Sequence, residues 1–552
     1  MGLPVTILRR TLLAGGAAVV PLLGLIGCGA GSRQTIRHIL PTVTDTGVSI
    51  SCSLAQPVQS LLLRVANEVY TGERRDSEGA HWSFTAKDLI PNTQYELQLL
   101  EGEFPLGDAW PLRTFPAEDA AVDQLKLAAF TCAGGGDGFG FNGLQYFKPH
   151  AFRHRLFDAL LAQNPDAIIA IGDHIYWDLR GGDRPPLGRR KSPLIRWIIG
   201  AYLRVKYGIF DRALPLLGSP NEAVLKRIAD EQIADLYGTR FKSTPIFFIS
   251  DDHDYFENDD AEKDLVTFPA DTFSHEAHRA VADLYYPPLP HAPALDTHRS
   301  FGLFKYGNLF EAPLLDCAGH MSLAENLELG EGSAKDINSA RLFPEAIEQW
   351  VLDRIEASQA KHFALVPSHP MGWTAGKWRE WYPDVVAPEG FEGLVTNELN
   401  FEGATKGVLT TKAQKYLWQR GWWTQHQRLL QALSARSGSR FTLSGDIHAQ
   451  GAIAIEASGN EELPGGAVTS LLVGPVSTSD ATWPSFARGI PANQPGWLRT
   501  TSLSVTEEVN GFTVFDITSS GVVAQLFDCG GHDSSEPDDG RVQRVTDFLL
   551  SG

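Results

Sequence analysis

Cysteine is scarce in this chain. Five residues, Cys28, Cys52, Cys132, Cys317 and Cys529, are scattered over 552 positions, too few and too far apart for a disulfide scaffold. Positive charge is short as well: 47 Lys and Arg stand against 66 Asp and Glu, a formal charge of -19. That balance speaks against specific nucleic-acid binding, which needs a basic stripe to neutralise phosphates. An anionic substrate would have to be drawn in by cations held inside a site, because the field of the whole chain repels it. The glycine-rich loop from Ala133 to Gly143 carries no Walker lysine and threonine, so a nucleotide cradle is not expected there. The apolar stretch from Ala14 to Ile26 is too short for an ordinary spanning helix.

What stands at the start of the chain reads as an address. Arg9-Arg10 precedes that apolar stretch, which ends in Leu25-Ile26-Gly27-Cys28. A basic head, a short apolar run and small residues before a cut form an export signal over residues 1-33, and paired arginines suggest the twin-arginine route. Leu-Ile-Gly-Cys looks like a bacterial lipobox, with Cys28 lipidated as the mature N-terminus. The expected location is the periplasm or cell envelope, with an N-terminal lipid anchor in the membrane; cleavage without lipidation is the alternative. From 35 to 117 apolar residues alternate at period two, as in Val48 to Leu54 and Tyr95 to Leu99, which predicts strands. Leu89 to Leu97 resembles the turn before a late strand of fibronectin type III domains, where a tyrosine ties back to the backbone. A β-sandwich is expected here, with Cys52 in its core.

An α/β domain is expected over 124-552, with a helical insertion at about 180-240. Its organising stretch is Ile168 to Ile171, a buried-strand pattern that breaks at Gly172 and delivers Asp173 and Tyr176. In α/β sheets, ligands collect at the carboxyl ends of the strands. The same pattern recurs. Leu125 to Phe130 ends at Thr131-Cys132, and Pro245 to Ser250 runs into Asp251-Asp252-His253-Asp254. Phe363 to Val366 ends at His369, and Phe441 to Leu443 ends at Gly445-Asp446-Ile447-His448. Carboxylates directly off a buried strand are costly unless something cationic compensates. Mixed S, N and O donors from separate strand ends are what a two-cation site requires. The tryptophans from Trp373 to Trp423 read either as pocket walls or, more simply, as core.

The order Gly172-Asp173, Asp252-His253, His369, Gly445-Asp446-x-His448 resembles the calcineurin-like metallophosphatases. Within them, cysteine first, Gly-Asp-x-x-Tyr second, Asp-Asp-His-Asp third and Ser-Gly-Asp-x-His last looks like the alkaline phosphatase D (PhoD) family. The resemblance implies a metallophosphatase-like α/β sandwich preceded by a fibronectin type III/Ig-like β-sandwich. It implies a ferric ion on Cys132, Asp173, Tyr176 and His448, with Asp173 bridging to a second cation on Asp252 and Asp446. That cation is calcium in the family; if His369 binds, zinc, ferrous iron or manganese suits it better. A metal-bound hydroxide would attack phosphorus, His253 would protonate the leaving alkoxide, and Asp254 would orient His253. Asp251 is given no more than the holding of its loop. The implied activity is hydrolysis of phosphate mono- or diesters, on a small-molecule or lipid substrate, by a monomer. Two alternatives remain: a phosphodiesterase of phospholipase D type, and a surface lipoprotein whose metal site is structural.

Overall fold

The computed structural model describes residues 35-141, 144-177, 201-202, 204-256, 270-296, 298-322, 338-375, 380-382, 393-394, 408-409, 420-487, 491-496, 498-531 and 542-550. The export signal with Cys28, the first turns of the predicted insertion helix (195-200), Trp378, Trp418 and the acidic stretch 533-539 lie outside the described residues. No helix among the described residues is long and apolar enough to cross a membrane.

The alternating stretches after Thr35 form two four-stranded antiparallel sheets. One runs Ile36–Val43, Val48–Leu54, His81–Ala86, Glu73–Arg74, the other Glu68–Thr71, Leu62–Val65, Gln94–Glu101, Phe104–Arg113. They face each other as a sandwich over Ile39, Ile50, Cys52, Trp82, Leu63, Leu97 and Trp110, all buried. The corner predicted from Leu89 to Leu97 is present: the Ile90 N–H donates to the Tyr95 hydroxyl at 2.8 Å.

The remainder is two mixed sheets with helices outside. In the first, Ala167–Ile171 lies between Gln124–Thr131 and Ile246–Ile249, all parallel, and Val509–Thr518 pairs antiparallel with Gln124–Thr131. Ala-Ile-Ile-Ala-Ile is buried at every position because helix His150–Leu161 packs Phe157 on Phe130 on one side while the other sheet covers the opposite face. In the second, Phe310–Leu315, His362–Pro367, Arg440–Ser444 and Val468–Val473 run parallel in that order. Helices Glu345–Ala357 and Arg420–Ala435 cover it. Trp422 and Trp423 lie on the second of these helices, and Trp373 and Trp381 are 1% and 0% exposed, so these rings are core.

The second half of the predicted helical insertion is helix Pro220–Ala229, which runs through a π-helical turn, Asp230–Ala234, into Asp235–Tyr237. It holds the sandwich in one compact unit with the α/β part, Thr35–Gly552. Lys226 Nζ donates to Asp76 at 2.5 Å and lies 2.8 Å from Glu222. His81 sits 3.4 Å from Asp76 and 3.6 Å from Asp230, which also takes Arg37. Burial pushes Asp76 up, but bonds from His81 and Lys226 outweigh it and hold the carboxyl well below 3.8. Burial pulls His81 down, yet its two carboxylate partners leave it above 6.5.

The signs give a window. The depressed Asp76 contributes stability above pH 3.8 that is lost as pH falls, and the raised His81 contributes below pH 6.5 and loses it as pH rises. Lys226→Met, which strands two buried carboxylates, is expected to lower unfolding free energy by about 3 kcal/mol near pH 6. The gap should shrink on acidification below pH 4. Urea unfolding at both pH values checks this; equal stability at pH 6 would dismiss the pair as a determinant.

Candidate metal centre

Strand register brings the chemistry together. Ile171 lies opposite Thr131 on one side and Ile249 on the other, so the chain leaves all three strands at one level, as Cys132, Gly172-Asp173 and Ser250-Asp251. The second sheet is joined to this edge at Thr131, whose N–H donates to Gly474 O at 3.0 Å and whose carbonyl accepts from Val476. Its strand ends, His369 and Asp446-Ile447-His448, therefore face the first set.

Each chain must then turn within one residue. Cys132, Asp173, Asp446 and His448 have φ of 50°, 59°, 68° and 47°, the left-handed region that ordinary residues avoid, each at a strain of order 1–3 kcal/mol. Among the described residues, four of the ten such non-glycine residues are candidate ligands, so the strain gathers at this site. Two glycines permit the approach. A Cβ on Gly172, itself at φ 71°, would meet the Asp251 Cβ at 2.6 Å, and one on Gly445 would meet Thr131 Oγ1 at 2.1 Å.

The donors fall into three groups, each with ligand atoms within 4.8 Å of one another: Cys132, Asp173 and His448; Asp173, Asp252 and His253; Asp251, His369 and Asp446. Asp173 belongs to two of them. Its Oδ2 accepts from the Tyr176 hydroxyl at 3.1 Å and lies 3.4 Å from Cys132 Sγ. Its Oδ1 is buried and accepts no hydrogen bond. Tyr176 OH is also 3.3 Å from His448 Nε2. His448 Nδ1 lies 2.7 Å from Thr482 O. A carbonyl only accepts, so the proton sits on Nδ1 and Nε2 keeps its lone pair for the site. His369 Nδ1 is 3.1 Å from Asp446 Oδ2, and Trp381 Nε1 donates to the His369 carbonyl at 3.3 Å. His253, in the short 3-10 turn Asp252–Asp254, is half-buried, with its ring 4.3 Å from that of Tyr176.

Asp254 has a different part from the one read in the sequence. Its Oδ1 accepts the N–H groups of His174 and Ile175 at 2.8 and 2.9 Å, and Oδ2 those of Asp173 and Asp251 at 2.8 and 2.9 Å. Both oxygens are saturated by backbone, so the carboxylate fastens the Asp173 and Asp251 turns to each other and does not orient the His253 ring. Asp251 is more than a loop residue: it meets His369 and Asp446, and Ser368 Oγ donates to its Oδ1 at 2.9 Å. Two further residues carried no signal in the sequence. Gln232, in the π-helical turn, receives the N–H of Gly135 at 2.5 Å and of Tyr176 at 2.9 Å on its side-chain oxygen. Arg153, fully buried, donates to the carbonyls of Ala133, Gly134, Gly135 and Gly136, which fixes the glycine loop after Cys132. The backbone-holding role of a loop acid and the reach of a helical glutamine are set by packing, so neither leaves a motif.

The donor set fits cations. Asp173, Asp251, Asp252 and Asp446 are 0, 0, 0 and 2% exposed. Burial is the largest influence on Asp173 and pushes it far above 3.8; His253 opposes this, and Asp252, Asp446 and Asp254 reinforce it. Burial likewise drives the Cys132 thiol and Tyr176 phenol well above their ordinary values, with the Asp173 charge adding to both. Without positive charge this cluster must hold protons; with it, the same atoms become ligands.

A family model described as PhoD-like phosphatase matches residues 229–524. Among solved structures, PhoD superposes with a TM-score of 0.59 at 13% sequence identity, over 95% of this chain and 95% of that chain; at this identity the likeness speaks to the fold. A purple acid phosphatase from yellow lupin (Lupinus luteus) seeds gives a TM-score of 0.47 at 11% identity, over 93% of this chain and 74% of that one. No curated protein matches in sequence. The family match takes in the Asp251 to Asp254 turn, His369 and the Asp446 to His448 turn over more than half of the 552 residues, and with those donors gathered at one sheet edge the chain belongs to the PhoD-like phosphatases.

Proposed function

We propose that this chain is an exported phosphoesterase that hydrolyses phosphate mono- or diesters at a two-cation centre. Family membership already makes it a metal-dependent hydrolase of phosphate esters, which leaves no need for the reading as a binding lipoprotein. The observation that carries the finer reading is the shared position of Asp173 in two donor groups. Cys132, Asp173, Tyr176 and His448 would hold a ferric ion, because thiolate and phenolate are anionic donors that suit a high-charge metal. Asp173 would bridge to a second cation on Asp252; Asp446 and His369, which form a separate donor group with Asp251, are the further ligands proposed for it. A nitrogen donor there supports zinc, ferrous iron or manganese ahead of calcium.

When bound, such a pair of cations supplies an activated water and neutralises charge on the phosphoryl oxygens. The chain's own groups do the rest. Thr482 holds His448 in one tautomer, Asp254 and Gln232 hold the turns that present Asp173 and Tyr176, and the half-buried His253 would protonate the leaving alkoxide.

Metal analysis of the purified mature protein, paired with its visible spectrum, tests the assignment. About one iron per chain is expected, with a charge-transfer band that Cys132→Ala or Tyr176→Phe abolishes. A colourless, iron-free protein loaded under export conditions would overturn the ferric site and leave a zinc or manganese phosphoesterase.

A further inference from the structure

The helix that opens at Pro220 and passes through the π-helical turn Asp230–Ala234 touches both the sandwich and the metal centre. Residues four apart on a helix share a face, and residues two apart point to opposite sides. Glu222, Lys226 and Asp230 are four apart and all meet the sandwich: Glu222 accepts from the Ser77 N–H at 3.0 Å, Lys226 donates to Asp76, and Asp230 Oδ2 accepts from Arg37 at 2.5 Å. Asp230 is the most heavily engaged. His81 Nε2 lies 3.6 Å from its Oδ1, which also accepts from the Tyr285 hydroxyl at 2.7 Å. Arg37 reaches on to Asp235 at 2.6 Å, and the Ile39 N–H donates to Gly238 O at 3.0 Å, so strand Ile36–Val43 grips the helix beyond the turn as well. Burial pushes the Asp230 carboxyl up, but His81 and Arg37 outweigh it and hold it down at about 2, so it is ionised at neutral pH. Gln232, two residues on, faces the other way and is fully buried. Its side-chain oxygen takes the N–H of Gly135, in the loop after Cys132, and the N–H of Tyr176. π-helical turns recur at functional sites, and this one has the sandwich on one side and a candidate ligand on the other.

We propose that Asp230 is a positioning residue for the metal centre: by clamping the π-helical turn to Arg37 and His81 of the sandwich, it keeps the Gln232 oxygen on the Tyr176 N–H and so holds the phenol beside Asp173 and His448. The sandwich then serves the reaction, through one helix, and is more than a separate module. The Tyr176 hydroxyl reaches Asp173 at 3.1 Å and His448 at 3.3 Å, so a small shift of its backbone breaks both contacts. Groups that orient a metal's ligands matter nearly as much as the ligands. The clamp itself rests on the hydrogen bonds above; its effect on turnover rests on the function proposed above.

A double-variant cycle on the full chain tests it, with p-nitrophenyl phosphate as substrate. Gln232→Leu, which keeps the bulk and removes the acceptor, should lower kcat about thirtyfold and Asp230→Ala about tenfold, with KM nearly unchanged. The double variant should lose about thirtyfold, no more than Gln232→Leu alone, because Asp230 acts through that oxygen; independent effects would multiply to about three hundredfold. Amide exchange read by mass spectrometry needs no turnover: Asp230→Ala should speed exchange of the Gly135 and Tyr176 N–H groups at least about tenfold. Leu97→Ala is the control for a general loss of stability. It opens a cavity in the sandwich core from the sheet that carries neither Arg37 nor His81, and it should lower unfolding free energy while leaving kcat and this exchange alone. Asp230→Asn, which turns an amide donor toward Arg37, should show the same losses in smaller degree and replaces Asp230→Ala if that variant does not fold. Losses that multiply, no loss at Asp230, or the same changes in Leu97→Ala overturn the proposal. If the parent cleaves no soluble phosphoester, the proposed function fails while exchange at Tyr176 still decides the clamp.

Discussion

Asp173→Asn is expected to reduce kcat on a soluble phosphoester by at least about a thousandfold, with loss of bound metal and little change in fold. The reason is its dual membership: among the described residues no other His, Cys, Asp or Glu belongs to both the Cys132–His448 group and the Asp252–His253 group. Asparagine keeps the shape and one oxygen for the Tyr176 hydroxyl, so packing is conserved. It removes the charge that two cations would share. The metal-free protein should tolerate this well, because a buried carboxyl held far above its ordinary pKa is already neutral there. Melting of metal-free protein should therefore be unchanged or slightly raised, while metal content and turnover collapse together. A variant that retains both metals and activity within tenfold of the parent would show that Asp173 is not the bridge.

Asp254→Ala should do the opposite and act through the fold. The substitution leaves four buried backbone N–H groups, of Asp173, His174, Ile175 and Asp251, without their acceptor. At about 1–3 kcal/mol for each unsatisfied group, and with partial relaxation, a loss of at least about 4 kcal/mol is expected, measured by urea unfolding of metal-free protein. Asp254→Asn should recover only part of it, because the amide nitrogen would face two donors. Had Asp254 merely oriented His253, the stability of the metal-free protein would hardly move and the change would fall on the pH profile of turnover. The two outcomes are separable in one denaturation series.

Much of this protein is written locally. The apolar runs that end at Cys132, Asp173, Asp251, His369 and Asp446 are strands in the structure because a parallel strand buried on both faces needs apolar residues throughout. The corner at Tyr95 is legible through its resemblance to a fibronectin type III turn, and the family through the resemblance carried by the order of ligand motifs. The functions of Asp254 and Asp251 were not legible. An acid that binds metal and an acid that caps four amides have the same letter, and only the relative position of two turns 81 residues apart in sequence separates them. Gln232 and Arg153 escape for a related reason. A helical glutamine and a helical arginine look like surface residues until a π-helical turn and a glycine loop put them against buried backbone.

By itself, then, the sequence determined the strands, the identities of the sulfur, nitrogen and oxygen donors and the acidic balance that calls for cations in the site, because each of these is a property of neighbouring residues. Tertiary structure alone decided which donors share a centre and which carboxylate holds the backbone instead. These depend on the register of separate strands and on the packing of distant segments, and neither leaves a trace in local order.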